Sequence, residues 1–150
     1  MRRKPGHTSG KGAVPAHLFV DSGAWIALFS ARDQHHSEAD RLFREASTRR
    51  VILFTTNLVV AEVHRLLLYR AGIQPAARAI DHIATSALVR LEFATLDHHR
   101  SARAWLAKLA DQQITYADAV SFAVMEATRC TAVASFDHDF TLAGFFRWQP

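Results

Sequence analysis

Leu18-Phe19-Val20-Asp21-Ser22-Gly23-Ala24-Trp25-Ile26-Ala27-Leu28-Phe29 holds the transition on which the fold turns. Three apolar residues in succession read as a short buried strand that ends at Asp21. Ser22 to Phe29 then reads as a helix packed back onto that strand. A carboxylate at the mouth of a buried strand, ahead of Ser-Gly, serves either a turn or a function, and function is the commoner case.

Downstream, the pattern alternates. Ala39, Leu42, Phe43 and Ala46 recur at helical spacing, giving an amphipathic helix over 35–48. Val51 to Thr55 is a second apolar strand rich in β-formers. Asn57 stands at the N-cap position of a helix that runs to about Arg70, with Gly72 as its stop. Pro75 opens a further helix on which Ile80, Ile83, Ala84 and Ala87 share a face. Leu88 to Leu96 reads as a third strand, with Val89, Leu91 and Phe93 alternating with charged residues. Asp97 caps a helix whose buried side includes Ala104, Leu106 and Leu109. Thr115 caps another, from Tyr116 to about Thr128. Thr131 to Phe136 is a fourth strand, and Phe145 to Trp148 a short edge strand. Strands separated by helices imply an α/β fold with a parallel sheet of four or five strands and helices on both faces.

The remaining sequence bounds the class. With 150 residues, 49% of them hydrophobic, the chain is one domain's worth and can fill a core. Residues 1–16 hold three of the six glycines, two of the four prolines and no aromatic, and read as a flexible basic leader to a single domain over 17–150. The net charge is +4, and residues 1–20 carry Arg2, Arg3, Lys4 and Lys11 with no acid. Without those four the chain has 14 basic and 14 acidic residues, so the high pI is weak evidence for a basic face on the folded part. No apolar run is long enough to span a bilayer, and no secretory h-region follows the basic start. Cys130 is the single cysteine, which excludes an intrachain disulfide and suits a reduced cytoplasm.

In an open parallel sheet, ligands bind beyond the carboxyl ends of the strands. Asp21 ends the first strand, and Asp137 ends the fourth, with Asp139 two residues on. Glu62 lies in the helix after the second strand, and Asp118 in the first turn of the helix leading to the fourth. Two carboxylates about 5 Å apart at an effective dielectric near 20 repel by roughly 3 kcal/mol, so such a gathering calls for a cation or protons. Oxygen ligands without cysteine or an obligate histidine suit Mg²⁺ or Mn²⁺, ions that assist phosphodiester hydrolysis. Each acid has a plainer alternative. Asp118 could complete a cap with Thr115, Glu62 could lie on a helix surface, and Asp137 and Asp139 could be loop acids. Their convergence on one rim is what argues for chemistry. His35-His36 and His98-His99 lack the partners of a zinc site and read as surface or helix-start residues. Cys130 reads as a small core residue beside a strand.

These residues resemble a known family. Phe19-Val20-Asp21-Ser22-Gly23-Ala24-Trp25, His35-His36, Thr55-Thr56-Asn57 and Val60-Ala61-Glu62-Val63 are similar to the first half of a PIN domain. Thr115-Tyr116-Ala117-Asp118-Ala119 and Ser135-Phe136-Asp137-His138-Asp139-Phe140 are similar to its second half. Within that superfamily the chain most resembles the VapC-type toxins, ribonucleases of bacterial toxin–antitoxin pairs. The resemblance spans roughly 18–146 and implies a three-layer α/β/α sandwich. It implies that Asp21, Glu62, Asp118 and Asp137 hold Mg²⁺ or Mn²⁺, with Asp139 a second candidate for the fourth place. It further implies that Asn57 and Thr115 orient water or substrate, that RNA is cut to 5′-phosphate and 3′-hydroxyl ends, and that the protein is a homodimer. An antitoxin would cover the acidic rim, in a groove walled by the helices of Ala39, Leu42, Phe43 and Glu62. Two other readings compete within the family: a PIN nuclease of RNA maturation, and a non-catalytic module binding RNA or protein. Asp137-x-Asp139 also resembles the haloacid-dehalogenase motif, but there the pair follows the first strand.

Overall fold

The computed structural model describes residues 13–150. Of the expected leader, residues 1–12 lie outside the described residues, whereas Ala16 already accepts a hydrogen bond from the Ile52 N–H at 3.1 Å. The strands are β1 (His17–Val20), β2 (Ile52–Thr56), β3 (Val89–Glu92), β4 (Ala132–Ala134) and β5 (Phe146–Arg147). All pair in parallel, in the order β3-β2-β1-β4-β5. The helices are α1 (Ser22–Phe29), α2 (His36–Thr48), α3 (Asn57–Arg70), α4 (Ile73–Thr85), α5 (Leu96–Lys108), α6 (Tyr116–Ala127) and the short α7 (Asp139–Leu142).

The strand order explains the layers. From β1 through β2 to β3 the chain steps outward one way, and α1 to α4 pack together on that side. From β3 it crosses back over the sheet to β4, carrying α5 and α6. Because parallel crossovers are right-handed, reversing the direction puts those helices on the opposite face. The expected sandwich is thus present, with a five-stranded sheet between two helical layers. Its core is apolar from Leu18, Phe19 and Val20 through Trp25, Val63 and Leu67 to Phe122, Met125 and Phe140, each 1% exposed or less. Cys130 is buried beside β4, and burial raises its thiol pKa.

Several element ends differ from the sequence expectation, each for a local reason. Thr56, not Asn57, caps α3: its backbone is extended and its Oγ1 accepts the Val59 N–H at 3.1 Å. Thr95, not Asp97, caps α5, because Thr95 Oγ1 accepts the His98 N–H while His98 Nδ1 accepts the Thr95 N–H. The helix containing Pro75 starts at Ile73, after Gly72 at φ +100°, since a proline in the first turn lacks only an N–H that has no helical partner there. Its buried residues are Ala76, Ala79 and Ile83, whereas Ala84 and Ala87 are exposed. On α5 the buried residues are Ala102 and Trp105, with Ala104 exposed. β3 is shorter than expected and lies at the sheet edge, where Leu91 and Phe93 face out at 36% and 65% exposure.

Candidate active site

In strand order, β1 and β4 are the neighbours from which the chain departs in opposite directions, which makes the gap beyond their carboxyl ends the topological switch point. Phe19 is in register with Val133 and Val20 with Ala134, so the next pair is Asp21 opposite Ser135. The Asp21 N–H continues the ladder to the Ala134 carbonyl at 3.0 Å. Ser135 Oγ donates to Asp21 Oδ2 at 3.0 Å and accepts the Asp137 N–H at 3.1 Å. One hydroxyl therefore ties the acid of β1 to the acidic loop after β4. Asp137 Oδ1 in turn accepts the Asp139 N–H at 3.0 Å, which fixes the turn into α7.

The other acids arrive from the helices. Glu62 is half-buried on α3. Asp118 sits in the first turn of α6, where Thr115 Oγ1 donates to its Oδ2 at 2.7 Å and the Thr115 N–H reaches the same oxygen at 3.1 Å. Thr115 Oγ1 also accepts the Asp118 N–H at 3.1 Å, completing the capping box. The plain reading of Asp118 as a cap residue is correct, and the cap holds its carboxylate still at the rim. Asn57 opens α3, and its Oδ1 accepts the Ala94 N–H at 2.9 Å, pinning the end of β3 to the same rim.

The charges of these acids act on one another. Burial raises the Asp21 pKa to about 7, and the charges of Asp118 and Glu62 add to the rise against the opposing hydrogen bonds of Ser22 and Ser135. Asp118 is raised by burial first and then by Asp137 and Glu62. Asp139 is raised by burial and by Asp137 and Asp118. The five acids form one mutually repelling group. Among the described residues none of them has an ion-pair partner. As the side chains stand, no three histidine, cysteine or carboxylate groups among the described residues are arranged to hold one metal ion. An all-oxygen donor set with surplus negative charge and a buried carboxyl near pKa 7 fits a hard divalent cation.

Two supports of the site stand in the motif after β4 without a role that the sequence assigns. Ser135 is one: its motif marks the loop after β4, but its register with Asp21 is a product of sheet pairing. Phe136, beside Asp137, is the other. Its ring stacks on His35 at 4.2 Å and 6°, while the Arg147 guanidinium lies 5.5 Å from its centroid. Glu38 closes the arrangement, 3.4 Å from Arg147 and 3.9 Å from His35. The paired histidines thus have structural work: His35 stacks on the acidic loop, and His36 Nδ1 bonds the Ala27 carbonyl at 2.7 Å. His98 serves a cap, and His99 Nδ1 meets the Tyr116 hydroxyl at 2.9 Å. The apolar residues expected to wall a groove beside the rim lie elsewhere. Ala39 and Leu42 lie in the core, and only Phe43 of those three reaches a surface cavity. That cavity, of about 230 Å³, is bounded by Leu28, His82 and Leu88 and opens near the amino ends of β2 and β3.

The family model described as PIN domain matches residues 18–145. The chain is 36% identical over 133 residues to the 23S rRNA-specific endonuclease VapC20 of Mycobacterium tuberculosis, covering 89% of this chain and 98% of the relative. The crystal structure of that VapC20, described as a Sarcin-Ricin loop cleaving toxin, superposes with a TM-score of 0.81 at 34% identity, covering 89% of this chain and 99% of the other. FitAcB from Neisseria gonorrhoeae shares the fold, with a TM-score of 0.63 at 14% identity, over 89% of this chain and 97% of the other.

Proposed function

Because the chain belongs to the PIN-domain family, we propose that it is a divalent-metal-dependent endoribonuclease, the toxin of a toxin–antitoxin pair, and that its substrate is a structured ribosomal RNA. The observation that carries this reading is the rim itself: acids from β1, α3, α6 and the loop after β4 share one switch point with no basic partner among the described residues. Asp21, Glu62, Asp118 and Asp137, with Asp139 adjoining, are the residues to hold Mg²⁺ or Mn²⁺. When bound, such an ion supplies a Lewis acid that neutralises charge on the phosphate and promotes ionisation of water.

The chain's own residues do the placing. Ser135 orients the Asp21 carboxyl and anchors the backbone of Asp137. Thr115 fixes one oxygen of Asp118 and leaves its Oδ1 directed elsewhere. Asn57 and Thr115 border the position for the scissile phosphate, Asn57 through the amide nitrogen that its bond to Ala94 does not use. Among the described residues no helix is long and apolar enough to cross a membrane, and we place the enzyme's work on RNA in the cytoplasm. A homodimer and a small antitoxin that lays an Arg or Lys over the acids complete the reading, since a guanidinium matches carboxylate geometry.

The test is cleavage of total cellular RNA by purified protein with and without Mn²⁺, followed by mapping of the ends. Cutting that needs the ion and leaves 5′-phosphate and 3′-hydroxyl ends is the expected result. Expression in bacteria should arrest growth, and either Asp21→Asn or an upstream partner gene should relieve the arrest. A protein that cuts RNA but is harmless loses the toxin assignment and keeps the nuclease one.

A further inference from the structure

Away from the acidic rim, three arginines from three elements line one cavity of about 370 Å³. Arg32 comes from the loop between α1 and α2, Arg70 ends α3, and Arg78 lies on α4. No carboxylate is in the cavity wall. Among the described residues none of the three forms an ion pair, whereas Arg44, Arg49, Arg100 and Arg147 each have one. Guanidiniums gathered without an acid repel one another, as the rim carboxylates do, and an anion relieves both the charge and the unused donors. A phosphate suits them, because each guanidinium presents a planar fork of donors to its oxygens.

The helix α3 joins this cavity to the rim. Arg70 lies eight residues after Glu62, about 12 Å along the axis. Arg65 and Tyr69 follow Glu62 by three and seven residues, the spacings that share one helix face. Among the described residues Tyr69 is 81% exposed, its aromatic ring largely open to solvent. Exposed aromatics interleaved with basic residues are how proteins hold single-stranded nucleic acid, by base stacking and phosphate binding together.

We propose that the Arg32–Arg70–Arg78 cavity binds a backbone phosphate of the RNA substrate, and that the α3 face through Tyr69 and Arg65 guides the strand from there to Glu62 and the acidic rim. The proposal rests on the ribonuclease reading and assigns its strand path. These groups position the strand, and the arginines read no base sequence.

The test measures affinity of the Asp21→Asn protein, which holds RNA uncut, for a short single-stranded RNA across a salt series. Adding Arg70→Ala and Arg78→Ala should weaken binding about tenfold and flatten the log–log salt slope by about 0.7, the value for one phosphate of a single strand no longer neutralised. Arg70→Lys with Arg78→Lys, which keeps the charge, should preserve the slope. Tyr69→Ala should weaken binding with the slope intact, and Tyr69→Phe should restore it. Melting curves report that each variant is folded. Unchanged affinity and slope in the alanine pair, with wild type still cutting RNA, overturns the inference and leaves the ribonuclease reading standing. Wild type that neither binds nor cuts RNA sinks the ribonuclease reading itself. Inorganic phosphate that stabilises wild type but not the alanine pair, with RNA binding unaltered in both, marks a small-anion site and overturns the strand path. Loss of a dimer in the alanine pair marks an interface between copies and overturns it as well.

Discussion

The charged face of α2 and the acidic rim use the same side chains to opposite ends. On α2, Asp40 accepts a hydrogen bond from Arg44 Nε at 2.8 Å, and Glu45 accepts one from Arg49 Nε at 2.8 Å, each partner one turn away. At the rim, among the described residues, Asp21, Glu62, Asp118, Asp137 and Asp139 have only one another and a few hydroxyl and amide donors. The Arg44 hydrogen bond lowers the Asp40 pKa, and burial with the nearby Asp118 raises that of Asp21 to about 7. An aspartate becomes a candidate for chemistry through its company. Solvated and paired, it is a surface ion worth little; desolvated among like charges, it calls for a cation.

The sharpest break in that comparison is catalytic. Asp21→Asn, Glu62→Gln, Asp118→Asn and Asp137→Asn should each lower RNA cleavage by about a thousandfold or more, roughly 4 kcal/mol of barrier. Asp40→Asn and Glu45→Gln should leave it unchanged, as read from initial rates on one RNA. If Asp139→Asn is inactive and Asp137→Asn active, the fourth position passes to Asp139.

Ser135→Ala should cost about tenfold, a loss of the order expected when one orienting hydrogen bond goes. The Ser135 hydroxyl also lowers the Asp21 pKa, so its removal raises that pKa further. The rising limb of the pH–rate profile should then move to higher pH, which a merely loosened fold would not produce. Phe136→Ala should slow cleavage by a few fold, because the ring stacked on His35 and facing Arg147 no longer steadies Asp137. Phe136→Tyr, which keeps the stack, should be near wild type.

The smallest effect is on stability. Asp21 ionises with a pKa near 3.8 when unfolded and about 7 when folded, so the folded state holds the proton longer. Without divalent ion, stability is greatest at the acid end of that window, falls as pH rises from about 4 to about 7, and is level beyond it. Asp21→Asn should flatten this fall and raise the Tm at pH 8 by about 5 °C in EDTA. Mn²⁺ should raise the wild-type Tm and the variant's much less. Asp40→Asn should change neither curve measurably.

Much of the molecule is legible along the chain. The strand–helix alternation implies the layer architecture, and α1 and α6 start where Asp21-Ser22 and Thr115-Tyr116 place them. The caps of α3 and α5 fall one or two residues from the expected positions, since Asn and Asp are as good in a cap as the threonines beside them, and only backbone angles decide. Leu91 and Phe93 face outward although their spacing matches a buried face, because alternation marks two faces without saying which one the sheet edge leaves uncovered.

What the sequence determined by itself is what depends on near neighbours: helical periodicity, the Thr115–Asp118 box, and an acid at the end of each of two buried strands. Such features act over one turn or one pleat, so spacing encodes them. Tertiary structure alone decided the rest. The β1–β4 register set Ser135 against Asp21, across 114 residues of chain. The strand order set the switch point, and packing desolvated Asp21 until its pKa approached neutrality. It also segregated a formally balanced set of charges into an acidic rim and an arginine-lined cavity. Coulomb and desolvation energies depend on distance and burial in space, and neither follows from position along the chain.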